Sequence, residues 1–217
     1  MSLQNTILLA VAVPDRAGDH PCRDAEAGGG RIVPGVEGIF GKPIVTQEEM
    51  RTRIRELGRQ ITADYAQKDL ILVGILKGAF AFYADLARAI RLPLRMDFMV
   101  VSSYTGRSKA AAKIKVLTEL TEDIAGRDVL LVEDIVDSGR TIQHLRKKLG
   151  AKKPKSIKVC ALLNKPARRQ VEVVVDYVGF HIPNKFVVGY GLDYQQLYRN
   201  LPYLAVLDKV SEEGEPV

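Results

Sequence analysis

The chain has 217 residues, 47% of them hydrophobic and 27% charged, which is enough apolar material for a core and excludes a disordered polymer. Its net charge of +6 comes from basic residues scattered along the chain rather than striped on one helix, and it has only two cysteines, so neither a dedicated nucleic-acid surface nor a disulfide framework is implied. No apolar run approaches the roughly twenty residues needed to span a bilayer.

In chain order, residues 1–40 are rich in Gly, Pro, Ala and Asp without periodicity and read as a flexible N-terminal extension. The short apolar "ILLAVAV" within it lacks a basic lead, so no signal peptide is expected. Order begins at "TQEE", a capping box with Thr46 as N-cap and Glu49 three residues on. Met50, Ile54, Leu57, Ile61 and Tyr65 then recur at helical steps and predict one apolar stripe. "LILVGI" (70–75) predicts a strand buried on both faces, "KGAFAFYADLARAI" (77–90) a helix and "RMDFMVVSS" (95–103) the next strand. The polar "YTGRSKAAAK" leads to the strand-like "IKVLTEL". "DVLLVEDI" (128–135) predicts a further buried strand, followed by a helix over 141–149 closed by Gly150. "IKVCALL" (157–163) predicts another strand, with Cys160 as a buried small hydrophobe. The tail alternates strand-like "VVVDYVGF", "FVVGYG" and "YLAVL" with turns. The densest basic run, "RKKLGAKKPK", fits a solvated helix end. His20, His144 and His181 show no metal-ligand spacing.

Alternating strands and helices predict an α/β domain over residues 41–217, with a parallel sheet covered on both faces. Ligands of such sheets sit outside the carboxyl ends of the strands. The familiar nucleotide motifs fail there. Pro43 follows "GK" where a P-loop needs a hydroxyl, and "GYGLDY" has Tyr194 in place of a third glycine. "VLLVEDIVDSGRT" (129–141) offers a different chemistry. "DSGRT" sits between a buried strand and a helix N-terminus, where free N–H groups, Gly139 and the Ser138 and Thr141 hydroxyls suit an anion. Taken alone it fits an ordinary helix cap by Asp137 or Ser138 equally well. Glu133 and Asp134 shift that balance, because adjacent carboxylates ending an apolar strand need a partner. A cis-diol or a hydrated Mg²⁺ would supply one.

This segment resembles the phosphoribosyl diphosphate (PRPP) signature of type I phosphoribosyltransferases. "GILKGAF", "VSSYTG", "LLNKPARR", "DYVGFHIPNKFVVGYGLDY" and "YRNLPY" are similar to the hypoxanthine-guanine branch of that family, over roughly residues 44–207. The resemblance implies a central, mostly parallel twisted sheet flanked by helices, with a small hood built from terminal segments. It implies transfer of the 5-phosphoribosyl group from PRPP to hypoxanthine or guanine, giving IMP or GMP and pyrophosphate, with Mg²⁺. Glu133 and Asp134 would face the ribose hydroxyls, while Asp137, Ser138, Gly139, Arg140 and Thr141 wrap the 5′-phosphate. Asp137 would also exchange the N7 proton. Lys165 would bond the 6-oxo group, Phe186 stack on the base, and the Val187 and Asp193 carbonyls read its N1/N2 edge. Asp193, with Glu133 and Asp134, would help hold Mg²⁺. Leu76, Lys77, Gly78 and Arg199 would meet pyrophosphate, and the Leu76–Lys77 peptide can be cis in the family. Ser103 and Tyr104 would begin a mobile loop closing over the site. The family further implies a cytoplasmic homodimer or homotetramer with no nucleic-acid or membrane partner. "RSKAAAKIK" departs from the more Gly/Ser-rich loop of relatives, Ser138 replaces a commoner threonine, and residues 1–40 have no family counterpart. Two rivals remain at this level. One is a xanthine preference set near Asp193; the other is a regulatory PRPP sensor that binds nucleic acid through its basic surface.

Overall fold

Thr46 opens helix α1 (Gln47–Asp64) as predicted. Its Oγ1 accepts from the Glu49 N–H at 3.3 Å, and the Glu49 carboxylate accepts from the Thr46 N–H at 2.7 Å. These two reciprocal bonds satisfy donors that a helix end leaves over. Met50, Ile54, Leu57 and Ile61 are buried along one face, and Tyr65 closes the stripe. The computed structural model describes residues 40–104 and 113–207; the expected extension, Phe40 apart, lies outside these.

Six strands form the main sheet: β2 (Leu70–Leu76), β3 (Arg95–Tyr104), β4 (Lys113–Thr118), β5 (Asp128–Val136), β6 (Ser156–Asn164) and β7 (Tyr177–His181). Their order is β4-β3-β2-β5-β6-β7, and only the β3–β4 pair is antiparallel. Helix α2 (Phe80–Ala89) links β2 to β3, and α3 (Arg140–Gly150) links β5 to β6. The apolar runs are continuous because both faces are covered. Leu70, Leu72, Leu130, Val132 and Leu162 pack under α1 and α2, whereas Ile71, Val73, Val129, Leu131 and Val159 pack under Ile142, Leu145 and Leu149 of α3. Each such side chain contributes roughly 1.5–3 kcal/mol on burial. Chain order runs outward from β2 in one direction and from β5 in the other. The crevice between the carboxyl ends of β2 and β5 is therefore the topological switch point.

A second, three-stranded antiparallel sheet, β1-β9-β8, is built from β1 (Phe40–Val45), β8 (Val187–Val188) and β9 (Leu204–Leu207). It is the expected small layer of terminal segments. The strand β1 itself is not among the expected elements, the first of which begins at Thr46. Pro43 is accommodated because β1 is an edge strand whose register shifts on both sides of it.

Other boundaries differ from the sequence reading. Helix α2 begins at Phe80, three residues late, because 77–79 form a turn. Gly150 is the last residue of α3 rather than its left-handed cap; the chain reverses later, at Lys153 with φ +56°. Residues 173–175 are not a strand: the Val171 N–H is taken by the Ser138 carbonyl, and Val173 packs beside Gly139. "FVVGYG" is extended only at 187–188, since 189–191 all have positive φ. Among the described residues no helix is long and apolar enough to cross a membrane.

Candidate active site

Strand β5 delivers its last side chains to the switch point. Glu133 is 9% exposed and its Oε2 has no hydrogen-bond partner. Burial, and then the neighbouring Asp134 charge, push its carboxyl well above the usual range. Asp134 accepts only from the adjacent Ile135 N–H at 2.8 Å among the bonds seen. Burial raises its carboxyl to about 6; backbone bonds and Arg199 counter this, and the Asp193 charge adds to it. A buried carboxyl beside a half-buried one, with Arg199 acting only on the second, is costly to ionise unless a further partner reaches the pair, which suits it to a ligand.

The turn after β2 fits against Asp134. Its Leu76–Lys77 peptide is cis. A Cβ at Gly78 would lie 1.6 Å from the Asp134 Oδ2, so only glycine lets the turn approach this carboxylate. Lys77 is exposed, and its Nζ donates to Gln196 Oε1 at 3.3 Å.

Beyond β5 the chain turns at Gly139, φ +84°, and enters α3 with this glycine at the N-cap. Of the two caps that the sequence left open, Ser138 makes a long one, its Oγ accepting from the Arg140 N–H at 3.4 Å, while the following N–H groups of the first turn remain donors for an anion. The turn is held from below by a segment to which the sequence assigned no role. The Gln170 and Val171 N–H groups donate to the Ser138 carbonyl at 3.0 and 3.2 Å, and Arg140 Nε donates to Gln170 Oε1 at 2.8 Å.

Register brings the end of β6 alongside. Val136 pairs with Asn164, and the Lys165 N–H donates to the Val136 carbonyl at 3.1 Å. Asp137 and Lys165 therefore leave adjacent strands at the same level, and Lys165 is buried at 6% exposure. Arg168 Nε stands 3.3 Å from Asp137 Oδ1. Arg169 donates to Asn164 Oδ1 at 2.5 Å, and burial lowers its pKa while Asp137 opposes that shift. Arg168 and Arg169 were missed by the sequence reading; the doubled arginine in "NKPARR" was their only signal.

The second sheet supplies the opposite wall. Leu207 N–H donates to the Phe186 carbonyl, so Val187, one residue on, turns its N–H and C=O toward the open edge of β8. The Phe186 and Tyr194 rings meet edge-to-face at 5.8 Å. Arg199 pairs with Asp193 Oδ1 at 2.6 Å and donates to the Gly191 carbonyl at 2.7 Å, while the Gln196 N–H donates to Asp193 Oδ2 at 2.8 Å.

Of the predicted site residues, the structure gathers Leu76, Lys77, Gly78, Glu133, Asp134, Asp193 and Arg199 through these contacts, and it sets Asp137 beside Lys165. Ser103 and Tyr104 end β3, paired with Ile114 and Lys113, and the loop they were expected to open lies outside the described residues. Among the described residues no three His, Cys, Asp or Glu side chains form a metal-holding group. Glu133, Asp134 and Asp193 are therefore not a closed protein cage for a cation.

Comparison with known proteins agrees in sequence and in fold. Residues 42–195 match the family model described as phosphoribosyl transferase domain. The chain is 50% identical over 163 residues to the hypoxanthine phosphoribosyltransferase of Salmonella typhimurium, covering 74% of this chain and 92% of that protein. It is 48% identical over 171 residues to the hypoxanthine-guanine phosphoribosyltransferase of Mycobacterium avium, covering 76% and 84%. Among solved structures, the hypoxanthine phosphoribosyltransferase of Staphylococcus aureus superposes with a TM-score of 0.75 at 42% identity, covering 78% of this chain and 92% of that one.

Proposed function

This chain belongs to the phosphoribosyltransferase family, and on that footing we propose that it is a purine-salvage enzyme joining hypoxanthine or guanine to the ribose of PRPP. The products are IMP or GMP and pyrophosphate. The observation that carries this reading is the carboxyl pair of buried Glu133 and half-buried Asp134, both raised by burial, set beside the N-terminus of α3 at the switch point. One part suits the diol of a sugar phosphate and the other its phosphate.

Each residue then has a task. The loop 137–141, with Asp137, Ser138, Gly139, Arg140 and Thr141, takes the 5′-phosphate through backbone N–H groups and hydroxyls. Asp137 accepts the proton from N7 as the base attacks C1. Lys165 donates to the 6-oxo group, which an adenine amino group could not accept. Phe186 stacks on the ring, and the outward carbonyl of Val187, with that of Asp193, reads its N1/N2 edge. Lys77, in the turn with Leu76 and Gly78, and Arg199 bind pyrophosphate as its negative charge develops. Ser103 and Tyr104 stand at the loop that excludes water. Glu133, Asp134 and Asp193 fit a hard cation that keeps several waters and shares oxygens with substrate, as Mg²⁺ does. When bound, Mg²⁺ neutralises charge on the pyrophosphate oxygens.

We further propose a homodimer. Exposed Phe80 (45%), Met96 (49%) and Phe98 (39%) border a groove of about 430 Å³ on α2 and β3, reaching Leu76 beside the pyrophosphate turn. A second copy of the chain would cover this face. We place the enzyme in the cytoplasm, where the buried free Cys160 stays reduced.

The test is a side-by-side assay of hypoxanthine, guanine and xanthine with PRPP and Mg²⁺. Formation of IMP or GMP is expected; conversion of neither hypoxanthine nor guanine would sink the reading. Asp137→Asn should cut kcat by about 10²–10⁴-fold with PRPP binding little changed. Equal losses in both would remove Asp137 from proton transfer.

A further inference from the structure

Residues 189–191 make an unusual passage. All three have positive φ (+101°, +47° and +105°), and the middle one is a tyrosine. A non-glycine residue there is strained by about 1–2 kcal/mol, so surrounding contacts must hold it. Backbone bonds hold the trace: Gly189 N–H to Leu192, Tyr190 N–H to Leu201 at 2.9 Å, and Gly191 N–H to Arg199 at 2.9 Å. Contacts in two directions explain why the strain is kept. On one side a Cβ at Gly191 would sit 1.9 Å from the Gly78 carbonyl, so its backbone lies directly on the pyrophosphate turn. On the other side the Tyr190 ring packs against the α1/α2 core, and its hydroxyl donates to the Asp85 carboxylate. Asp85 is also ion-paired with Arg88 one turn along α2. Burial, then the bond to Asp85, push the Tyr190 phenol up, so it remains a donor throughout the neutral range.

Helix α2 begins two residues after Gly78. The three-residue passage therefore grips the β2–α2 connection at both ends, by backbone at Gly78 and by side chain at Asp85. The same passage fixes Arg199, whose guanidinium donates to the Gly191 carbonyl and whose own carbonyl accepts from Gly191. We propose that Tyr190 and Asp85 are positioning residues for the pyrophosphate half of the site, tying Arg199 and the 76–78 turn into one rigid cradle. This rests on the phosphoribosyltransferase reading, and neither residue touches substrate. Of the purine half, Lys165, Phe186 and Val187 lie outside the grip and Asp193 is joined to it through its ion pair with Arg199, so the effect falls mainly on pyrophosphate.

The experiment compares wild type with Tyr190→Phe, Asp85→Asn and Asp85→Ala. Calorimetry measures Mg²⁺-pyrophosphate binding, and KM is measured for PRPP and for base. Tyr190→Phe and Asp85→Ala should each weaken pyrophosphate binding and raise the PRPP KM about five- to ten-fold, the loss expected for one hydrogen bond, with the base KM within about two-fold. Asp85→Asn keeps an acceptor for the phenol and should stay near wild type, although it loses the Arg88 ion pair. The double variant Asp85→Ala/Tyr190→Phe should be no worse than either single one. A purely structural role would instead lower Tm and shift both KM values together, or leave both unchanged; either result overturns the proposal, as does full additivity. Wild type that makes no nucleotide, with pyrophosphate binding still weakened in Tyr190→Phe, would overturn the assigned reaction and support the positioning role. Absence of pyrophosphate binding in wild type would overturn both.

Discussion

Asp134 shows how burial and charge are opposed at a single residue. Its ordinary value is 3.8, and in the fold it is raised to about 6, chiefly by burial. Between those two values the folded state holds the proton more tightly than the unfolded chain does. Stability contributed by this group is therefore present at low pH, is lost as pH rises through that window, and does not return above it. Glu133 acts in the same direction. Thermal melts of ligand-free protein from pH 4 to 7 should show Asp134→Asn losing less Tm across the window than the parent. Parallel curves for the two would assign the fall to other groups. The type and position of this residue were legible in the sequence, as an acidic pair ending an apolar run. Its surroundings were not, because what reaches it depends on Gly78 and Arg199, 56 and 65 positions away in the chain.

At the scale of elements, the entry to α3 depends on the segment 170–173 beneath it. Gly139→Ala would place a methyl 2.9 Å from Val173 Cγ2 and 3.0 Å from the Val171 carbonyl, at a φ of +84°. The backbone conformation alone costs about 1–2 kcal/mol. Urea unfolding should show at least that loss, with a raised KM for PRPP, and unchanged stability would mean the segment yields freely. Long buried strands such as β2 and β5 were readable because both faces are covered, which leaves a continuous apolar run. The expected strand over 173–175 failed for the converse reason: those valines are apolar because Val173 and Val175 pack toward the α3 side of the sheet, not because they pair. Strand β1 was hidden by Gly41 and Pro43, whose pairing is set by β9 at the far end of the chain.

For the whole molecule, the exposed apolar face on α2 and β3 predicts self-association. Sedimentation of the wild type should give a dimer or a multiple of it, and Phe98→Lys or Met96→Lys should shift it toward monomer with the fold retained by circular dichroism. A monomeric wild type at micromolar concentration would remove the dimer. Because the face reaches Leu76, the monomerised variants should also bind pyrophosphate less well.

The sequence by itself determined the α/β class, the acidic pair, the phosphate turn and the family, since these depend on local order: apolar runs, a capping box and motifs carried on contiguous residues. Only the tertiary structure decided which parts meet. The switch point between β2 and β5, the contact of Gly78 with both Asp134 and Gly191, the support of Ser138 by residues 170–171 and the Tyr190–Asp85 bond join segments from 32 to 113 positions apart. Such contacts follow from strand order and close packing, which periodicity along a chain does not record.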